Sequence, residues 1–176
     1  MGKTKEVVFD AGPFIHLSEI QEQRVIVSYL KVVTTPEIIE ECANIKAQLL
    51  SRKNVLVRFL VGESKDFAKY LIDRYDLDLG ESTGIALCKQ ERIRFFFTDD
   101  LEAREVALQL GFLAHGTLAL LLRAYRKKII TKKEVEEAGE LEISEQYLKD
   151  FMEKLDKVKK ENLIKYFVSH KLNRLA

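Results

Sequence analysis

A run of three phenylalanines that ends in a pair of carboxylates places the tightest limit on how this chain can fold. Phe95-Phe96-Phe97 is followed by Thr98-Asp99-Asp100, then by an amphipathic pattern from Leu101 to Leu110 closed by Gly111. A run with no polar alternate positions reads as a strand covered on both faces, as in a parallel sheet sandwiched by helices. The expected strand, residues 93–98, therefore delivers two acids to a strand-to-helix turn, and the glycine ends the helix that follows.

Similar acids recur upstream. Val7-Val8-Phe9 is a short apolar run ending in Asp10, and Pro13 suits the first turn of a helix over residues 14–20. A second helix is expected over residues 22–30 and a strand over 31–34. Thr35-Pro36-Glu37 is a strong helix start: threonine caps, proline takes the first helical position and glutamate meets the positive end of the dipole. Ile38, Cys42, Ile45 and Leu49 recur at helical spacing and carry that helix to about residue 50, with Glu41 on its second turn. A strand over 55–60 and a helix from Ser64 follow. Gly80 reads as a break before a nearly all-apolar helix over 81–90, opened by Glu81. After the helix over 101–110 come a short strand over 112–114 and a helix over 117–125.

This alternation predicts an α/β fold with a mainly parallel sheet. From Thr131 the pattern is helical only. Thr131-Lys132-Lys133-Glu134 reads as a capping box, and Ser144 opens a long helix. The expected division is a catalytic domain over residues 1–130 and a helical extension over 131–176 packed on it.

Composition removes several classes. Hydrophobic residues make up 47% of the 176, which argues against disorder. A net charge of +1 means that any surface for a polyanion must be local. Cys42 and Cys88 form neither a metal spacing nor a disulfide framework, and no leader or membrane-length apolar run is seen; the expectation is a soluble, cytoplasmic protein with no membrane partner.

In open parallel sheets ligands sit beyond the carboxyl ends of the strands, where Asp10, Asp99 and Asp100 are expected. Carboxylates converging there with Glu41 and Glu81 repel one another unless a cation neutralises them. An all-oxygen donor set suits a hard ion, Mg²⁺ or Mn²⁺ rather than Zn²⁺. Such a centre suits phosphodiester hydrolysis.

Four segments carry a resemblance. Val8-Phe9-Asp10-Ala11-Gly12-Pro13-Phe14-Ile15, Thr34-Thr35-Pro36-Glu37-Ile38-Ile39-Glu40-Glu41, Gly80-Glu81-Ser82-Thr83-Gly84-Ile85-Ala86-Leu87 and Phe97-Thr98-Asp99-Asp100 resemble, in order, the four motifs of PIN domains. The resemblance spans roughly residues 5–125. It implies a three-layer α/β/α fold, metal-dependent cleavage of single-stranded RNA and frequent homodimers. Within that class it admits a VapC-like toxin with an antitoxin protein as partner, an RNA-processing nuclease, or a non-catalytic module that binds RNA or builds a complex. It places Asp10, Glu41, Glu81, Asp99 and Asp100 at the metal and makes Thr98 and Ser82 polar helpers toward water or phosphate. Two registers stay open. Glu40 competes with Glu41, which the family's pattern after the proline favours. Asp100 is favoured by position after the threonine, Asp99 by spacing from Glu81. Gly12 stands where many relatives have Ser, Thr or Asn.

Competing motifs are weaker. Gly80-Glu81-Ser82-Thr83-Gly84 fits a serine nucleophile elbow in form, but Asp76-Leu77-Asp78-Leu79 is a poor strand to precede it. A phosphatase of the haloacid dehalogenase type needs an aspartate where Gly12 stands, and no Walker pattern occurs. His16, His115 and His170 lack ligand spacing and read as ordinary histidines. Basic runs at residues 123–128, 132–133 and 157–160 would hold an RNA backbone only if one borders the crevice.

Overall fold

Short apolar runs alternate with capped helices, and the chain resolves them into a parallel sheet with helices on both faces. The computed structural model describes residues 6–27, 31–131 and 133–135. The strands are β1 (Glu6–Phe9), β2 (Lys31–Thr34), β3 (Val55–Val57), β4 (Phe95–Phe97) and β5 (Leu113–His115). They form one all-parallel sheet in the order β3-β2-β1-β4-β5. The chain lays β2 and β3 on one side of β1, then crosses to place β4 on the other. The order therefore reverses between β1 and β4, opening a crevice at their carboxyl ends.

The helices are α1 (Ala11–Glu19), α2 (Arg24–Val27), α3 (Pro36–Glu41), α4 (Lys46–Leu50), α5 (Glu63–Tyr75), α6 (Leu79–Gln90), α7 (Leu101–Gln109) and α8 (Thr117–Arg126). Period-two alternation sends Val8, Val33 and Phe96 to one face, where they meet Leu71, Ile85, Leu87 and Ala107 from α5, α6 and α7. On the other face Phe9 packs its ring against Phe14 of α1 and against Phe97. As its composition required, α6 is the central helix, buried continuously from Ser82 to Cys88. Gly84 makes this possible: a Cβ there would lie 2.8 Å from Phe96 Cε2, so only glycine lets α6 seat this closely on β4.

Three local expectations are corrected. The helix expected over residues 36–50 is two short ones. α3 ends at Glu41, and Ile45 N–H donates to the Cys42 carbonyl in the intervening turn. Glu41 thus stands at a helix end. The strand after Asn54 stops at Val57 rather than residue 60. Gly80 does not break the chain but lies inside the first turn of α6, because Asp78 caps the helix two residues earlier.

The capping box at Thr131 is present: Glu134 N–H donates to Thr131 Oγ1 at 3.3 Å and Thr131 N–H to Glu134 Oε2 at 2.6 Å. The helix expected from Ser144 and the basic run at 157–160 lie outside the described residues, as does most of the expected C-terminal extension. Among the described residues no helix is long and apolar enough to cross a membrane.

Candidate active site

Register decides what emerges at the crevice. Phe9 pairs with Phe97, so the next residues, Asp10 and Thr98, leave β1 and β4 side by side. Asp10 occupies the N-cap position of α1, yet its carboxylate makes no cap bond. It accepts instead from Thr98 Oγ1 at 2.8 Å. The same threonine oxygen accepts the Asp100 N–H at 3.2 Å, so one fully buried hydroxyl holds both the first and the last acidic segments.

The two neighbouring aspartates divide their labour. Asp100 turns back and caps α7, its Oδ1 accepting the Ala103 N–H at 2.7 Å. Asp99 turns the other way, toward the first residue of α8. It accepts Thr117 N–H at Oδ1 and Thr117 Oγ1–H at Oδ2, each at 2.6 Å, and its Oδ2 also meets His16 Nδ1 at 2.7 Å. Burial pushes the Asp99 carboxyl up, but the bonds from His16 and Thr117 outweigh it and hold the group below the usual carboxylate range.

Two more acids come from the helical layer. Glu40 points outward and pairs with Lys46. Glu41 reaches across to the start of α6, where it accepts the Gly80 amide. That approach requires glycine, since a Cβ on residue 80 would sit 2.2 Å from Glu41 Oε1. Glu81 closes a reciprocal capping box: its Oε2 accepts Asp78 N–H at 3.0 Å while Asp78 Oδ1 accepts Glu81 N–H at 2.7 Å.

Electrostatics ties these acids together. Burial pushes the Asp10 carboxyl up to about 6 against its hydrogen bonds to Thr98 and Ala11, and repulsion from Asp78 and Asp99 adds to the rise. Partial burial, then Asp78 and Asp10, raise Glu41 to about 7. Glu81 rises to about 7 through burial, offset by the Asp78 amide, with further repulsion from Asp78, Asp100 and Asp10. Asp10 and Asp78 are the hubs of this network, since each repels both glutamates. Gly80→Ala is expected to expel the Glu41 carboxylate into solvent and return its pKa from about 7 toward 4.5, read by carboxyl-carbon NMR titration. An unmoved Glu41 titration would show that its position does not depend on the missing Cβ.

The donor set is all oxygen, and Asp10, Glu41 and Glu81 are partly or wholly buried within reach of one another's repulsion, so its chemistry fits a hard divalent cation. Among the described residues, however, no three His, Cys, Asp or Glu side chains stand together as a ready-made cage. Glu81 is engaged in its cap, Asp100 in another, and Asp99 by three donors. A Mg²⁺-type ion needs no such cage, since it is commonly held by one or two carboxylates with waters and substrate phosphates completing the shell.

Of the two polar helpers, Thr98 orients Asp10. Ser82 is fully buried in α6 and its hydroxyl has no protein partner. The basic run at 123–128 begins in the last turns of α8, whereas Thr117 at the opposite end of that helix meets Asp99. About six residues of helix, roughly 9 Å, separate the run's near end, Arg123, from Thr117.

Sequence reasoning missed Asp78 and His16. Asp78-Leu79-Gly80-Glu81 is a legible capping-box pattern, overlooked because Gly80 was read as a break. His16 carried no local signal, since its partner is 83 residues away.

The family model described as DUF3368, a PIN domain, matches residues 6–157. Among solved structures, the crystal structure of VapC20 from Mycobacterium tuberculosis, described as a toxin that cleaves the sarcin–ricin loop, aligns with a TM-score of 0.49 at 16% identity. The alignment covers 61% of the present chain and 96% of that one. No curated protein matches.

Proposed function

The chain belongs to the PIN domain family, and on that premise we propose that it is a metal-dependent endoribonuclease acting on single-stranded RNA through the acids at the β1/β4 crevice. The observation that carries this reading is the position of Asp10. It is buried at the sheet's switch point and held by Thr98, and burial, with a smaller repulsion from Asp78 and Asp99, raises its pKa to about 6. A ligand-binding crevice at that place in a parallel sheet is what the topology favours.

In this reading Asp10, with Glu41, Glu81, Asp99 and Asp100 around it, holds Mg²⁺ or Mn²⁺. The bound ion supplies an acidified water and neutralises charge on the scissile phosphate. The chain's own residues set the stage. Thr98 donates to one Asp10 oxygen and holds the carboxylate at the end of β1. Thr117 and His16 keep Asp99 ionised. Gly80 lets Glu41 approach Asp10. Asp78 and Glu81 fix the first turn of α6 beside them.

A second reading is favoured by a specific observation: Asp99, Asp100 and Glu81 all have their carboxylates engaged by protein donors, as suits a non-catalytic RNA-binding PIN module. Incubating single-stranded RNA with the protein, with and without Mn²⁺, separates the two. Cleavage that appears with Mn²⁺ and vanishes in excess EDTA is expected. RNA binding with no cleavage in either condition would favour the module, and cleavage undiminished by EDTA would overturn the metal-dependent reading.

A further inference from the structure

A second concave feature lies on the same two helices as the acids and is absorbed by none of the chemistry above. It is a cleft of about 300 Å³ between the segment after β3, the start of α3, one face of α5 and the first turn of α6. Its walls are apolar, with Leu60, Ile72 and Leu79 among them. Phe59 stands at its edge with 73% of its surface exposed, although a ring of that size costs free energy when left in water. The ring is not on a slack loop. Gln90 of α6 clamps the segment on both sides, its Nε2 donating to the Phe59 carbonyl at 3.1 Å and its Oε1 accepting Val61 N–H at 2.9 Å. A rigidly presented, exposed aromatic is what a stacking platform requires.

Polar groups complete the cleft with opposite signs at different places. Glu37 lines it, and its Oε2 is buried without a hydrogen-bond partner. A buried acceptor left unsatisfied carries a cost that a ligand N–H would remove once the carboxylate turns into the cleft. Lys65 and Lys69, one turn apart on α5, also line the cleft, and both are exposed. An apolar slot with one stacking ring, one inner acceptor and outer cations matches a nucleotide: base inside, amine toward the carboxylate, phosphates toward the ammonium groups. An acidic peptide would satisfy the lysines but would meet Glu37 with repulsion. The cleft shares two helices with the candidate active site: α3, which carries Glu37 and Glu41, and α6, which carries Leu79 and Glu81.

Resting on the reading of single-stranded RNA as substrate, we propose that this cleft is a subsite for one unpaired nucleobase flanking the scissile phosphate, stacked on Phe59 and selected for an exocyclic amine by Glu37. Cytosine and uracil make the sharpest comparison, because they differ at ring position 4, where an amine donor replaces a carbonyl acceptor. A carboxylate accepts from the first and repels the second.

The test uses fluorescein-labelled eight-nucleotide oligocytidylate and oligouridylate, with binding read by anisotropy in EDTA so that no cleavage intervenes. The full chain is expected to bind oligocytidylate about tenfold more tightly. Glu37→Gln, whose amide can also donate to a carbonyl, is expected to erase that preference. Phe59→Ala is expected to weaken both ligands by about tenfold, since stacking is indifferent to base identity. Circular dichroism of each variant checks that the fold is kept. Equal affinity of the wild type for the two oligomers, or an unchanged preference in Glu37→Gln, would overturn the proposal. So would unaltered RNA binding by Phe59→Ala together with a changed sedimentation coefficient, which would assign the cleft to contact with another protein. Parallel Mn²⁺ cleavage assays separate the two readings. A chain that discriminates the oligomers but never cuts loses the catalytic reading and keeps the subsite. A chain that cuts without discriminating loses the subsite alone.

Discussion

Asp10→Asn is expected to reduce Mn²⁺-stimulated RNA cleavage by roughly a thousandfold, about 4 kcal/mol of transition-state stabilisation, while making the metal-free protein more stable at neutral pH. The two effects share one cause. Asp10 is only 6% exposed, and burial raises its carboxyl from 3.8 to about 6. A group whose folded pKa exceeds its unfolded value contributes stability that is fully present below the unfolded pKa. That contribution is lost as pH rises through the folded one. In EDTA, the wild type should therefore lose stability between about pH 4 and pH 6, by about 3 kcal/mol from Asp10 alone. Glu41 and Glu81 extend the same trend toward pH 7. Asparagine still accepts from Thr98 but brings no charge, so the Asn variant should lack the Asp10 part of the decline. Added Mn²⁺ should restabilise the wild type by mass action far more than the variant. Urea unfolding across pH 4–7, with and without EDTA, measures all of this. A flat wild-type profile, or a variant that cuts RNA at the wild-type rate, would remove Asp10 from the centre of the site.

The second large effect concerns the fold that holds this charge. Phe96→Ala should destabilise the protein by about 3–5 kcal/mol and lower its melting temperature by on the order of 10 °C. Phe96 is fully buried on β4, flanked by strands on both sides, paired with Val8 of β1 on one side and Ala114 of β5 on the other. The residue packed above it is Gly84, which has no side chain to move into the space a truncation would leave. Neighbouring helices cannot collapse onto an alanine without shifting α6, which carries Glu81, so the cavity should persist. Phe96→Leu keeps most of the volume and should lose far less. Calorimetry of the two variants separates cavity formation from loss of aromatic character. Equal, small losses would mean that α6 can resettle.

How much of this was legible depended on how far apart the interacting residues lie. The strand at Phe95–Phe97, the Thr35-Pro36 helix start and the capping box at Thr131 all involve residues within four positions of each other. Periodicity and capping chemistry act over that range, so the chain announces them. The one continuous helix expected over residues 36–50 failed for the complementary reason. Its apolar spacing was helical throughout, but spacing cannot report that the backbone turns at residues 42–45 to bring Glu41 over α6.

The choices left open by local pattern were made by strand order. Glu41 rather than Glu40 faces Gly80 because α3 packs on α6. Asp99 meets Thr117 and His16, and Asp100 caps α7, because β4 lies between β1 and β5 and so brings the starts of α1 and α8 to the same crevice. Asp78 joined the network by the same route. The sequence alone therefore determined the α/β alternation and the acids available at the ends of strands and helices. Tertiary structure decided which of those carboxylates meet, because an encounter across 83 residues depends on topology and register, which no window of neighbouring side chains contains.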